Sequence, residues 1–181
     1  MLDNSIRATA AAVERISQIV ESLKNFTRLD QAEYQLADVH EGIESTLTLL
    51  EHQLKGRVAV TREYGDLPPI YCYPGELNQV FMNVLMNAIQ AIADEGTIRI
   101  KTYADTANVY LEIVDSGRGI PKDQLQHIFE PGFARKDARV GLGLGLATSY
   151  NIVRKHQGFL RLDSEVGKGT MVAIVLPLHS T

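Results

Sequence analysis

Residues 140–153 read VGLGLGLATSYNIV, so three alternating glycines lead directly into a predicted helix. Gly141, Gly143 and Gly145 leave the backbone free to turn several N–H groups toward one point at the start of that helix. These N–H groups and the partial positive charge of a helix N-terminus favour a bound phosphate. The glycine run is therefore predicted to bind a polyphosphate.

The loop before the glycine run is basic and irregular. Its sequence, EPGFARKDARV, has no hydrophobic period, and it carries three cations: Arg135, Lys136 and Arg139. Loops of this length without regular structure often act as lids over a binding site. We expect this loop to close over the phosphates.

A second glycine motif, DSGRGIP, follows a predicted strand and begins at Asp115. A carboxylate at the end of a strand can accept hydrogen bonds from the exocyclic amino group of adenine, whereas guanine presents an acceptor oxygen there and is repelled. Gly117 and Gly119 allow the backbone to approach a base closely and to take positive φ. An ordinary Asp-x-Gly turn would look the same, so the motif is informative only in combination with others.

Four neutral amides fall on one stripe of the predicted helix ELNQVFMNVLMNAIQAI: Gln79, Asn83, Asn87 and Gln90. The ordinary interpretation is a solvent-exposed face. Exposed faces usually carry Lys and Glu, which are better helix formers, and this stripe has neither. Amide oxygens also suit a magnesium ion that takes most of its ligands from phosphate and water. Both interpretations fit the spacing.

Composition excludes several classes of protein. A net charge of −4, from 22 acidic and 18 basic residues, provides no broad basic surface for nucleic acid. The single cysteine, Cys72, excludes a disulfide framework, fits a reducing compartment and is expected to be a packing residue. No apolar run is long enough to span a membrane and the N-terminus does not resemble a signal peptide, so we expect a cytoplasmic chain without membrane contact. Neither a P-loop nor a Rossmann fingerprint occurs.

The N-terminal segment carries a seam at alternating spacings of three and four: Ile6, Thr9, Val13, Ile16, Val20 and Leu23. This pattern is typical of a coiled coil or helical bundle. About three heptads make a marginal helix alone, so we expect a partner helix from a second copy of the chain. Docking of the helix on its own domain is the alternative. We divide the chain into a helical dimerisation segment, 1–34, and a folded domain, 35–181.

The elements that must position these motifs follow in a regular order. A helix begins after Asp38 and ends at Gly56, and Pro74 can open the next helix after a proline-rich connector. The predicted strands are RVAVTREY, TIRIKTY, NVYLEIVD, GFLRLDSE and TMVAIVLPL, and the later helices are KDQLQHIF and residues 144–156. Strands follow each other directly twice, so the sheet must be mixed or antiparallel. The predicted fold is an α/β two-layer sandwich with helices on one face of the sheet, preceded by the coiled-coil-like helix.

The motifs occur in a specific order: NVLMNA (83–88), DSGRGIP (115–121), IFEPGF (128–133), GLGLGLATSYNIVRKHQG (141–158) and a final G-x-G-T (167–170). In this combination the sequence resembles the ATP-binding domain of sensor histidine kinases, within the superfamily that includes gyrase-type, mismatch-repair and heat-shock chaperone ATPases. The resemblance covers about residues 36–178. It implies an ATP-binding, magnesium-dependent phosphotransferase that acts in two-component signalling.

The resemblance also implies roles for individual residues. Asn87 would hold Mg²⁺, and Asn83 and Lys136 would act in catalysis near the phosphates. Asp115 would bind the adenine amino group. The nucleotide would further contact three groups of residues: Gly117, Gly119 and Ile120 of the first glycine motif; Gly141, Leu142, Gly143, Leu144, Gly145 and Leu146 of the second; and Thr170.

Some positions depart from the family pattern. Gly132, Ala134 and Arg135 stand where the family often has a phenylalanine and two threonines, and Leu142 stands where a threonine or serine often follows the first glycine. These departures bear on lid conformation and turnover more than on nucleotide binding. The family's phosphoaccepting His-Glu box, with a proline five residues after the histidine, does not occur. The one His-Glu pair, at His40, has a serine at that position.

The resulting hypothesis is a catalytic domain that transfers the γ-phosphoryl group of ATP to a histidine not present in this chain. Its partners would be histidine-containing phosphotransfer helices, a response regulator and a second copy of the chain. The alternatives are a nucleotide-gated dimerisation module or pseudokinase, an ATPase of the gyrase or chaperone kind, and an anti-sigma-type serine kinase. An amide at Asn83 disfavours the ATPase, because an amide is a poor general base, and the N-terminal seam disfavours the serine kinase.

Overall fold

The computed structural model describes residues 33–125, 127–128 and 145–178. Nearly all of the predicted N-terminal helix, and the whole segment 129–144 with the predicted lid, lie outside the described residues. Predictions that fall on those segments stay predictions.

The longer helices and strands follow each other in the order that the hydrophobic pattern predicts. The described elements are β1 (Gln35–Ala37), α1 (Val39–Leu54), β2 (Val58–Tyr64), β3 (Ile70–Cys72), α2 (Pro74–Ala91), β4 (Gly96–Ala104), β5 (Asn108–Asp115), α3 (Lys122–Leu125), α4 (Gly145–Lys155), β6 (Phe159–Glu165) and β7 (Gly169–Pro177). Asp38 caps α1 by accepting the N–H of His40 at 2.7 Å, and Pro74 opens α2, as the sequence predicts.

The main sheet is mixed, with the strand order β2-β4-β5-β7-β6. Strands β2 and β4 are parallel because α2 lies between them in the chain, and the other neighbours are antiparallel. The hairpin between β4 and β5 closes through Asp105, whose Oδ1 accepts the N–H groups of Ala107 and Asn108. The predicted α/β fold with a mixed sheet is confirmed.

The core lies between one face of this sheet and the helices. Alternate residues of the central strands are buried under α2, which contacts α1 on one side and α4 on the other. The buried strand residues include Ile98, Ile100, Leu111, Ile113, Val172 and Ile174, and the helix contributes Val80, Phe81, Val84, Leu85, Ala88 and Ile89. Burial of this set holds α2 in place along the sheet.

Two short strands were not predicted. β1 and β3 form a separate antiparallel pair with Leu36 opposite Tyr71, and β3 lies inside the predicted proline-rich connector. Strands of three residues are too short for the alternation that identifies a strand. Cys72, at the end of β3, is buried as expected, and burial raises the pKa of its thiol to about 11.

Arg57 holds the C-terminal end of α2. Its Nε donates to the carbonyl of Asp94 at 3.1 Å, and its Nη2 donates to the carbonyls of Ile89 and Ile92. The last carbonyls of a helix have no partner within the helix, and a cation is favoured at that end. Arg57 therefore fixes where α2 ends and where the following loop starts.

We expect Arg57→Ala to lower the free energy of unfolding by about 2 kcal/mol, because several charge-assisted hydrogen bonds to one helix end are lost together. Urea denaturation measures this value. Arg99→Ala is the matched control, since Arg99 forms an exposed ion pair with Glu63 at 3.5 Å. The control should change stability by only about 0.5 kcal/mol. Equal losses of unfolding free energy in the two variants would show that the hydrogen bonds from Arg57 to the end of α2 contribute no more to stability than an exposed ion pair.

Candidate active site

Asp115 is the last residue of β5 and is buried, with 6% of its surface exposed. Its Oδ1 accepts the N–H of Gly117 at 2.8 Å. Burial raises the pKa of this carboxyl above its usual value, while the N–H groups of Gly117 and Thr170 act in the opposite direction. A carboxyl in such a poorly solvated position interacts strongly with any hydrogen-bond donor that reaches it.

The loop after Asp115 is packed tightly between two other parts of the chain. On one side the N–H of Arg118 donates to the carbonyl of Ala91 at 3.0 Å, and a Cβ at Gly117 would lie 2.6 Å from the Cβ of Ala91. On the other side a Cβ at Gly119 would lie 2.1 Å from the carbonyl oxygen of Glu165. Packing alone therefore requires glycine at both positions.

A serine that sequence reasoning missed supports this loop from β6. The Oγ of Ser164 accepts the N–H of Ile120 at 2.8 Å and donates to the carbonyl of Gly169 at 2.9 Å. Its distance to the Oγ1 of Thr170 is 2.9 Å, and since the proton of Ser164 is already used, Thr170 is the donor. Register pairs Ser164 with Thr170 and Thr170 with Asp115. The tight turn at VGKG in the sequence is the signal that could have identified this pairing.

Asn83 joins α2 to the first turn of α4. Its Nδ2 donates to the carbonyl of Gly145 at 3.0 Å and to the Oγ of Ser149 at 3.2 Å. Ser149 is fully buried and donates in turn to the carbonyl of Gly145 at 2.8 Å. Ser149 was also missed, although its position four residues after the last glycine of the run is visible in the sequence.

One face of α2 connects the two halves of the site. Asn83, Asn87 and Ala91 follow each other at intervals of four residues, which places them on one face over about 12 Å of helix. Asn83 contacts α4, Ala91 contacts the loop after Asp115, and Asn87 lies between them and is exposed. The structure therefore arranges these residues along one wall. Gln79 and Gln90 are exposed, so the amide stripe is partly a solvent-exposed face.

The predicted site residues fall into three groups. Asp115, Gly117, Gly119, Ile120 and Thr170 come together around one loop, and Asn83 meets Gly145 and is followed on α2 by Asn87. Leu146 follows Gly145 in the first turn of α4. The third group, Lys136 and the run from Gly141 to Leu144, lies outside the described residues.

His40 is held within the fold. Its Nε2 lies 2.8 Å from the Oγ1 of Thr102, and its ring stacks on Tyr64 with 4.3 Å between the centroids. Tyr64 in turn donates to Glu44 at 2.7 Å. The only His-Glu pair of the sequence is therefore part of a network between α1 and the edge of the sheet.

A cavity of about 190 Å³ lies elsewhere, between β1, α1 and the first half of α2. Leu36, Gly42, Leu77 and Phe81 are among the residues that line it, and none of the predicted site residues that the structure describes does. Within the described residues, no helix is long and apolar enough to cross a membrane.

The family model described as "Histidine kinase-, DNA gyrase B-, and HSP90-like ATPase" matches residues 73–180. Sporulation kinase E of Bacillus subtilis (strain 168) is 36% identical over 170 residues, which are 92% of this chain and 23% of the relative. Sensor histidine kinase ZraS of Escherichia coli (strain K12) is 34% identical over 174 residues, which are 95% of this chain and 37% of the relative. The chain thus spans well under half the length of these curated relatives.

Solved structures agree. The mycobacterial sensor histidine kinase MprB aligns with a TM-score of 0.69 and 29% identity over 82% of this chain and 100% of that chain. The catalytic domain of histidine kinase ThkA has a TM-score of 0.73 at 23% identity over 81% and 96% of the two chains, which is a likeness of fold. The chain belongs to the family of histidine kinase-, DNA gyrase B- and HSP90-like ATPases. Within that family it is an ATP-binding catalytic domain of the sensor histidine kinase type.

We expect Gly119→Ala to destabilise the domain much more than Gly56→Ala. Both glycines have positive φ, at +69° and +73°, but only Gly119 faces a carbonyl at overlap distance, while nothing lies within 4 Å of a Cβ at Gly56. Conformational strain alone should cost about 1 kcal/mol at Gly56, and the added overlap should bring the loss at Gly119 to about 3 kcal/mol. Urea denaturation of both variants checks this. Similar losses of stability in Gly119→Ala and Gly56→Ala would mean that the turn at Glu165 can move away from the loop after Asp115 at little cost.

Proposed function

We propose that this domain binds Mg–ATP along the exposed face of α2 and transfers its γ-phosphoryl group to a histidine of another helix. The adenine would lie against Asp115, and the phosphates would lie at the first turn of α4, beyond Asn83. The observation that carries this proposal is the buried carboxyl of Asp115, which is fixed by Gly117 at the far end of the α2 wall from Gly145.

The adenine position is supported by the chemistry of the pocket wall. A carboxylate accepts hydrogen bonds and repels other acceptors, so it favours the amino group of adenine over the oxygen of guanine. Gly119 and Thr170 would contact the same base, because the loop and β7 bring them beside Asp115. Gly117, Ile120 and Leu146 would line the nucleotide through their backbones.

Asn87 would hold the magnesium ion. Its amide is exposed on the face of α2 between the adenine end and α4, and amide oxygens are suitable Mg²⁺ ligands. Among the described residues no group of three His, Cys, Asp or Glu side chains could hold a metal ion. The ion would therefore take its other ligands from the phosphates and water, and its charge would neutralise the phosphate oxygens.

Transfer itself needs positioning more than covalent chemistry by the domain. An imidazole nitrogen of the acceptor forms a bond to the γ-phosphorus as the bond from that phosphorus to the β–γ bridging oxygen breaks. ADP leaves with the electron pair of that bond, and the phosphorylated ring loses its N–H proton to solvent. Asn83 would hold α4 beside the triphosphate, and Lys136 and the backbone of Gly141–Leu144 would enclose it.

The acceptor and the partners are part of the same proposal. Since no His-Glu box with its proline occurs in residues 1–181, the acceptor histidine would come from another polypeptide or from outside this sequence. We propose that residues 1–34 pair with a second copy, that a response regulator receives the phosphoryl group next, and that the domain works in the cytoplasm.

Incubation with γ-labelled ATP, with and without an added histidine-box helix hairpin, tests the transfer. Label on the hairpin supports a kinase. Tight ATP binding without label on any protein would favour the pseudokinase or nucleotide-gated module, and release of labelled phosphate without a hairpin would favour an ATPase.

Asp115→Asn should weaken binding of ATP by about 10- to 100-fold, the equivalent of losing one charge-assisted hydrogen bond. Calorimetry on the folded variant measures the affinity. Glu112→Gln is the matched control. Glu112 also lies on β5, but on the face opposite Asp115, where it accepts a hydrogen bond from Tyr103 of β4. Unchanged affinity in Asp115→Asn would remove Asp115 from the site.

Asn87→Ala should weaken ATP binding by roughly tenfold in the presence of Mg²⁺ and leave magnesium-free binding unchanged. Titrations of the domain with ATP, once in the presence of Mg²⁺ and once in the presence of a chelator, measure the two affinities separately. Gln90→Ala removes a neighbouring exposed amide of α2 and is the control. If Asn87→Ala weakens both forms equally, or neither, Asn87 does not hold the metal.

A further inference from the structure

His156 lies buried where the C-terminal end of α4 meets the N-terminal end of α2. The backbone N–H of Tyr73 donates to its Nε2 at 3.0 Å, and its Nδ1 lies 2.8 Å from the carbonyl of Ile152. Tyr73 is the N-cap residue of α2 and has no side-chain capping bond. The imidazole therefore bridges two helices through their backbones.

These two contacts define the protonation state of the ring. An N–H donor at Tyr73 requires a lone pair on Nε2, and a carbonyl acceptor at Ile152 requires a proton on Nδ1. The ring is therefore neutral. A second proton, on Nε2, would face the N–H of Tyr73 and break the link to α2.

Helix α4 is tied to α2 at its other end as well. Asn83 holds the carbonyl of Gly145 at the first turn, and His156 follows the last turn, so eleven residues of helix lie between two fixed points on α2. A helix of this length transmits a displacement along its axis, because its backbone hydrogen bonds resist stretching.

We propose that His156 is a positioning residue for nucleotide binding. Its neutral ring fixes the position of α4 along the helix axis, so that the first turn of α4 meets the phosphates. This inference rests on the proposed function, since it takes the first turn of α4 as the phosphate end of the site. Protonation of His156 would release the C-terminal end of α4 and weaken the binding of triphosphate.

Burial sets the direction in which the pKa of His156 is shifted, and the neighbouring polar and charged groups modify it. Burial lowers the pKa of the ring below its usual value and is the largest effect. The hydrogen bond to the Ile152 carbonyl and the charge of Glu76 oppose it, and Lys155 acts in the same direction as burial. Lys155 donates to the Oε1 of Glu76 at 2.6 Å and lies 4.1 Å from the centroid of the Tyr73 ring. The Oε2 of Glu76 is buried and has no hydrogen-bond partner among the described residues.

The sign of the effect follows from this lowered pKa. The neutral form dominates above the ordinary imidazole pKa of 6.5, and the folded state resists protonation as the pH falls below it. The link to Tyr73 is lost only as the pH falls through the lower pKa of the folded state. Nucleotide binding should therefore be constant near neutral pH and should weaken on acidification.

The test uses the full chain and a non-hydrolysable ATP analogue with Mg²⁺. Affinity is measured from pH 8 to pH 5 for the wild type, His156→Gln and His156→Leu; His52→Gln, at an exposed histidine of α1, is the control. A glutamine amide can accept the N–H of Tyr73 and does not titrate, whereas leucine cannot accept it. In parallel, NMR follows the imidazole nitrogens of His156 and the amides of Tyr73 and Gly145.

Between pH 8 and pH 5, the affinity of the wild type and of His52→Gln for the analogue should fall. This fall should be about three- to tenfold larger than any fall in His156→Gln. Titration of Asp115 affects all variants alike, so the difference between the curves isolates His156. The Tyr73 and Gly145 amides should move with the midpoint of the His156 ring. His156→Leu, if folded, should bind weakly at every pH.

Two results would overturn the inference. One is a wild-type pH profile that persists in His156→Gln, and the other is a Tyr73 amide that titrates with His156 while Gly145 does not. If His156→Leu fails to fold, the glutamine variant and the NMR midpoints still decide. Absence of analogue binding at every pH in the wild type would instead overturn the proposed function, and with it this inference.

Discussion

The contact between Gly117 and Ala91 constrains the rest of the site. A Cβ at Gly117 would overlap the last residue of α2, so the loop after β5 can lie against this helix only with glycine there. The same helix end gives its carbonyls to Arg57 and to the N–H of Arg118. The position of Asp115 relative to α2 is consequently fixed from both the strand side and the helix side.

Helix α2 contacts both groups of candidate site residues that the structure describes. Its core face is buried on the sheet, so it cannot rotate without exposing residues such as Phe81 and Leu85. Its other face meets α4 through Asn83 and, at its N-terminal end, through the ring of His156. The spacing between the loop after β5 and the first turn of α4 is therefore a property of one helix.

Sequence alone predicts most of this architecture, and the exceptions have physical causes. Strands β4, β5 and β7 are half-buried and alternate clearly, as in Ile98 and Ile100, whereas β1 and β3 have three residues each and no readable period. The candidate residues Asp115 and Asn83 can be selected from the sequence by type and spacing. Their supports, Ser164 and Ser149, were missed because their roles depend on strand register and helix pairing, which a single serine in a sequence does not indicate.

The hydrogen bonds of Asn83 also bear on which chemistry this family member can perform. Its amide N–H₂ donates to two acceptors, the carbonyl of Gly145 and the hydroxyl of Ser149. A carboxylate at this position, as a water-activating ATPase would need nearby, would face that carbonyl with like polarity and would lose the bond to Gly145. The start of α4 would then lose its tie to α2. The arrangement of this helix pair thus favours an amide at position 83 over a carboxylate base that activates water.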